Sequence, residues 1–154
     1  MRSGVVKKRQ LQADAVFKSR VVTRMINTVM RDGKRSLAEK IVYTALDSLS
    51  ADRKESVQMF EQAVKNVMPA QEVRSRRVGG ATYQVPTPLR HDRAEALAVR
   101  WIVDAASGKK GKPMKIKLHE ELKNAYENTG AAMKKKEDVH KMAEANKAFS
   151  HFRF

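Results

Sequence analysis

The five residues His119-Glu120-Glu121-Leu122-Lys123 begin like the helical zinc site HExxH, in which two histidines four residues apart bind the metal and the glutamate acts as general base. The fifth position is Lys123, so the second ligand is missing. The other histidines, His91, His140 and His151, have no ligand-like spacing to one another. The sequence holds no cysteine, which excludes a thiolate zinc site, a cysteine nucleophile and a disulfide framework together. "RVGGAT", Arg77 to Thr82, is neither a phosphate loop ending in GK[ST] nor a GxGxxG turn. The acidic side chains of the middle helices are spread among lysines as on ordinary helix surfaces, and give no carboxylate cluster of the kind a metal-dependent nuclease needs. The reading is a protein without catalysis, metal or cofactor.

The chemistry that remains is recognition of anions. Lys and Arg number 32 against 17 Asp and Glu, a net charge of +15, which favours a polyanionic partner. The excess is uneven: residues 1–35 carry ten cationic and two anionic side chains, residues 36–72 four and six, residues 73–93 five and one. Five stretches concentrate it. They are Lys7-Lys8-Arg9; Lys34-Arg35; Arg74, Arg76 and Arg77; the Gly/Pro loop "GKKGKPMKIK" with Lys109, Lys110, Lys112, Lys115 and Lys117; and Lys134-Lys135-Lys136. Lysines ahead of a helix start add their charge to the unpaired amides there and suit phosphate.

"VRSRRVGGATYQVP", Val73 to Pro86, predicts a hairpin with Gly79-Gly80 as a two-residue turn, because both glycines accept the positive φ that such turns need. The predicted register sets Val78 opposite Ala81, Arg77 opposite Thr82, Arg76 opposite Tyr83, Ser75 opposite Gln84 and Arg74 opposite Val85. Neither face reads as core, and a bare two-stranded hairpin is marginal in water. The expectation is a projecting arm whose arginines fork to phosphate and whose Tyr83 offers a stacking face.

Apolar periodicity builds the body that positions these groups as six helices. The first holds Val22, Ile26 and Val29 and ends at Gly33. The second starts at a Ser36–Glu39 capping box, with Leu37, Ile41, Ala45 and Leu49 on its buried face. A third carries Val57, Phe60, Val64 and Val67 up to Pro69. The fourth is capped by Asp92 and buries Leu97, Trp101 and Ala105. The fifth runs from Lys115 to Asn128 over Leu118, Leu122, Ala125 and Tyr126, and the sixth from Ala132 to Ala148. At 154 residues this is one mainly helical domain, read as soluble and cytoplasmic, with no signal peptide or membrane span.

"SRRVGGATYQVP", "DGKRSLAEKIVY", "ALAVRWIVDAA" and "KKKEDVHKMAEANKAFSHFRF" resemble, in order over nearly the whole chain, the family of bacterial ribosomal protein number seven of the small subunit. The resemblance implies six helices with a protruding hairpin between the third and fourth. It divides the single domain into a basic N-terminal extension (1–18), the arm (72–89) and a lysine-rich C-terminal helix and tail (131–154). It implies direct binding to the 3′ major domain of 16S rRNA, nucleation of head assembly, and a place at the subunit interface near exit-site tRNA and the mRNA path. Ribosomal proteins nine and eleven of the small subunit would be neighbours. Lys7, Lys8, Arg9, Lys34 and Arg35 fall in the family's rRNA-contacting N-terminal region, and Lys112, Met114 and Lys115 in its rRNA-facing loop. Arg74, Arg76, Arg77, Lys117, Lys135 and Lys136 join them as expected rRNA contacts on charge and position. Arg76, Arg77, Gly79, Gly80 and Tyr83 on the arm, with Asn146, Lys147 and His151, would lie near tRNA. This sequence departs from the family at Arg2-Ser3-Gly4, at the proline-free "LQADAV" and at the phenylalanine-bearing end "SHFRF". A DNA-architectural protein is the alternative, but such arms insert an apolar wedge at the tip, and here the tip is Gly-Gly. A basic helical adaptor is a further rival and leaves the arginine arm unexplained.

Overall fold

The computed structural model describes residues 10–152. Six helices surround one core: α1 (Arg20–Val29), α2 (Arg35–Asp47), α3 (Arg53–Val67), α4 (His91–Gly108), α5 (Met114–Tyr126) and α6 (Gly130–Ala145). Between α3 and α4 stands the antiparallel hairpin of β1 (Gln71–Val78) and β2 (Ala81–Pro88), and a 3-10 turn over Lys147–Phe152 follows α6. The expected mainly helical, single-domain class is what is observed.

The fifth helix is central, touching α2, α3, α4 and α6. Its Leu118, Leu122 and Ala125 are fully buried, as their i, i+4, i+7 spacing predicts. Around them sit Val22, Met25 and Ile26 of α1, Phe60, Val64 and Val67 of α3, and Ile102 of α4. Each large side chain so buried contributes about 1.5–3 kcal/mol. Trp101 is half-buried and packs on the rim of this core.

Two faces differ from the sequence reading. Helix α2 buries Ala38, Val42, Ala45 and Leu46, and Leu37 is left 53% exposed. Helix α4 buries Ala94, Ala98, Val99, Ile102 and Ala106, with Leu97 half-buried. In both, the alanines let neighbouring backbones approach closely, so the helix is rotated by about one residue from the face its largest apolar groups define. The starts differ too. The helix α2 begins at Arg35 after Lys34, with no side-chain cap, and Glu39 pairs with Arg35 at 2.8 Å instead of closing a box on Ser36. Arg90, not Asp92, precedes α4, and Glu95 pairs with Arg24 at 2.7 Å. In α3, Asp52 does cap, accepting from the Lys54 N–H.

Two buried carboxylates tie the elements together. Asp14 accepts the N–H groups of Val16 and Phe17 on one oxygen and the Tyr43 hydroxyl at 2.8 Å on the other, fastening the segment before α1 onto α2. Burial, and then that hydrogen bond and charge, push the Tyr43 hydroxyl up to about 12. Glu121 of α5 is fully buried, accepts the Ala132 N–H in the first turn of α6 at 3.0 Å, and lies 2.8 Å from the Lys109 ammonium at the end of α4. One side chain in the middle of α5 thus ties the end of α4 to the start of α6.

Candidate nucleic-acid interface

The hairpin forms in the register read from the sequence, Val78 to Ala81 through Arg74 to Val85, and extends to Gln71 opposite Pro88. Gly79 and Gly80 have φ of +56° and +92°, the pattern of a type I′ turn, and a Cβ added at either would meet nothing within 4 Å. Both glycines are exposed, so the tip faces solvent. Arg76, Arg77 and Thr82 are exposed near it.

The rest of the arm is not bare, which corrects the expectation that neither face is covered. Val85 and Pro86 are buried. Tyr83 packs on Phe149 and Phe152 of the C-terminal 3-10 turn, with ring centroids 5.2 and 4.9 Å away. The stacking face assigned to Tyr83 is therefore occupied from within the chain. At the base, Glu72 takes a bidentate pair from Arg93 of α4, at 2.9–3.0 Å, and a bond from Arg74 Nε at 2.5 Å. Burial raises the Glu72 carboxyl, but the hydrogen bonds from Arg93 and Arg74 outweigh it, and the net shift is below the ordinary range. His140 of α6 accepts the Ala70 N–H at 3.1 Å just before β1. Burial, then the Lys136 charge, lower its imidazole.

Lys34, Met114 and Lys117 come from two separate basic stretches, and the fold brings them to one open groove of about 460 Å³ between the ends of α1, α2, α4 and α5. Arg31 joins them there. Arg35 is held by Glu39, and Lys112 by Glu120, where the hydrogen bond and charge of Lys112 lower the Glu120 carboxyl. Lys115 is exposed and outside the lining of the groove.

Toward the C-terminus, Lys135 is exposed, whereas Lys136 donates to the Asn66 carbonyl at 2.6 Å. There it supplies a positive charge to the last turn of α3, a structural use. Asn146 bonds back to the Met142 carbonyl, Lys147 is exposed, and a ring nitrogen of His151 lies 2.9 Å from the Ala148 carbonyl. Lys147 and His151 lie in the turn that covers Tyr83, and Asn146 immediately precedes it. Lys7, Lys8 and Arg9 lie outside the described residues.

Among the described residues no group of His, Asp or Glu is placed to hold a metal, and His119 points a ring nitrogen at the Ala45 carbonyl, 3.4 Å away. No helix in them is long and apolar enough to cross a membrane. The family model described as ribosomal protein S7p/S5e matches residues 1–147. The chain belongs to this ribosomal protein family. It is 57% identical to the small ribosomal subunit protein uS7 of Fervidobacterium nodosum over the full length of both chains. It is 55% identical to that of Thermotoga maritima, again over both full lengths. It is 51% identical to that of Pelagibacter ubique, over 96% of this chain and 95% of the relative. A ribosomal protein S7p/S5e is a structural component and not an enzyme, in keeping with the incomplete HExxH.

This S7p/S5e chain also has a basic recess that sequence reasoning missed. A cleft of about 1030 Å³ at the foot of the hairpin is lined by Arg20, Arg24, Arg74, Arg90 and Arg93, with Asp92 and Glu95 among them. Arg24, Arg74 and Arg93 are engaged with Glu95 or Glu72, while Arg20 and Arg90 have no ion pair among the described residues. Only Arg74 stands in a visible run of charge. The other arginines sit singly on α1, α4 and the loop before it, and three-dimensional folding alone makes them neighbours.

Proposed function

We propose that this protein, a structural constituent of the small ribosomal subunit, binds the 3′ major domain of 16S rRNA directly and nucleates assembly of the subunit head. The observation that carries the reading is the gathering of cations from separate stretches into two open recesses, one holding Arg31, Lys34 and Lys117 and the other Arg20 and Arg90, none of them ion-paired among the described residues. Flexible cations at a concave surface suit a folded RNA backbone, whose charge and shape are the dominant determinants of binding. Lys7, Lys8, Arg9, Lys115 and Lys135 extend the same surface chemistry, as do Arg35 and Lys112, whose side chains stay more than half exposed beside Glu39 and Glu120, and Lys136 adds its charge from the Asn66 carbonyl. The open Gly79-Gly80 tip with Arg76 and Arg77 is the element that reaches toward exit-site tRNA and the mRNA path, together with Asn146, Lys147 and His151. Ribosomal proteins nine and eleven of the small subunit are the expected neighbours in the cytoplasmic ribosome.

Chemical footprinting of the full chain on naked small-subunit rRNA, with excess duplex DNA as competitor, tests this. Saturable protection confined to the 3′ major domain is the expected result. Diffuse protection that the DNA abolishes would reduce +15 to unspecific charge and reopen the architectural alternative.

A further inference from the structure

The groove of about 460 Å³ has a lining that phosphate binding alone does not explain. Its inner lining is apolar, formed by the half-buried Val29, Met30, Ile41 and Met114, and its rim carries the exposed Leu37, Arg31 and Lys34 with the half-buried Lys117. Leu37 is 53% exposed, the largest exposure among the exposed large hydrophobic side chains. A sugar–phosphate backbone has no use for that surface, since its outward groups are charged or polar. A nucleobase does: its faces are apolar, it fits a recess of this volume, and it is linked on either side to phosphates that would fall at the cationic rim. Asp32 and Asp104 also line the groove and can accept hydrogen bonds from the amino or imino groups of a base edge. Helices α2 and α5 both start at this groove, and neither start is capped by a side chain, so their first amides add positive potential where the flanking phosphates would lie.

We infer that this groove receives a single unpaired nucleotide of the bound rRNA, its base against Leu37, Met30 and Met114 and its phosphates on Arg31, Lys34 and Lys117. The inference rests on the proposed rRNA binding and adds base recognition to it. Sequence-specific RNA binding generally targets unpaired bases that can be splayed out of the stack, and a groove with an apolar lining and a charged rim is suited to hold one. The apolar contact makes no salt-dependent contribution, because it releases no counterions; the rim does.

The test uses the full chain and a transcript of the rRNA 3′ major domain. Two versions are compared with the wild type: Leu37→Ser, and the protein with the diazirine analogue of leucine at position 37. Leu37 is more than half exposed, so Leu37→Ser should melt close to the wild type. The expected result is a roughly fivefold to tenfold loss of affinity with an unchanged slope of log K against log salt, and light-induced attachment of position 37 to one base. If wild type protects the 3′ major domain but Leu37→Ser binds equally well and position 37 attaches to no base, the groove is not a base site and the rRNA reading stands. Attachment instead to another ribosomal protein in assembled subunits, without any base adduct, would likewise overturn it. If wild type gives no specific protection, both readings fall together.

Discussion

Replacing Lys109 by methionine keeps most of the unbranched stem and removes the ammonium group, leaving the Glu121 carboxylate fully buried without a counter-ion. The pair lies at 2.8 Å but off the line of a hydrogen bond, since Glu121 Oε2 has no aligned donor among the described residues; what holds it is attraction between charges. At an effective dielectric of about 20 that attraction is about 6 kcal/mol at this distance. Lys109 keeps 30% of its side chain in water, so it was never fully desolvated, and water can reach the place it vacates. The net cost of Lys109→Met should then fall near the low end of the range for breaking a buried pair, about 3 kcal/mol. For a chain of this size that is a fall in Tm of roughly 6–12 °C. Thermal melts followed by circular dichroism would measure it. A second variant, Lys109→Met with Glu121→Gln, removes the stranded charge while its amide oxygen still accepts the Ala132 N–H, and should recover most of the loss. If Lys109→Met melted within about 1 °C of wild type, or if the double variant were less stable than the single, the buried carboxylate would not be the junction described above.

Gly130→Ala should cost about 2 kcal/mol, a fall of roughly 4–8 °C in melting temperature, because the backbone there has φ +94° and the new Cβ would sit 3.0 Å from both Asn124 Cβ and Glu121 Oε1. His140 should make stability depend on pH. Its imidazole is lowered from 6.5 and accepts the Ala70 N–H as the neutral form, so the unfolded chain binds the proton more readily; stability is full above about pH 6.5 and is lost as pH falls through the lower folded value. The difference in unfolding free energy between wild type and His140→Ala, measured in urea from pH 8 to 5, should shrink toward acid, and a constant difference would contradict the neutral acceptor. Lys34→Ala with Lys117→Ala should leave the melt unchanged but lower the slope of log K against log salt for rRNA by about 1.4–1.8, as two lost phosphate contacts require. An unchanged slope would remove these lysines from the interface.

Much of the fold follows from local signals. The hairpin register was readable because two adjacent glycines mark a two-residue turn, and once that loop length is fixed every pair follows, whichever primed turn type forms. Helix α5 was readable because leucines mark its stripe. The rotated faces of α2 and α4 were not, because alanine contributes little to a hydrophobic pattern while its small side chain suits a buried helix contact. Glu72 and Glu121 look in sequence like other surface acids; their burial depends on Arg93 and Lys109, which are 21 and 12 residues away. Of the candidate site, the lysine loops were legible as charge, but which lysines stay available was not. Lys112 and Lys136 meet partners 8 and 70 residues distant. Phe149 and Phe152 were legible as aromatic but not as the cover of Tyr83, since that contact joins opposite ends of the second half of the chain.

The clamp at the foot of the hairpin has a mechanical consequence. Each strand has eight residues, so the tip stands roughly 26 Å from the base at about 3.3 Å per residue. Over that reach the arm is a lever, and a tilt of about 5° at its foot would carry Gly79 and Gly80 about 2 Å sideways, most of the length of a hydrogen bond. Glu72, gripped by Arg93 of α4, and Ala70, bonded to His140 of α6, fix the foot on two different helices, where one point would act as a pivot, and Tyr83 on Phe149 and Phe152 steadies the arm further out. The aim of the tip is thereby set by side chains away from the tip itself.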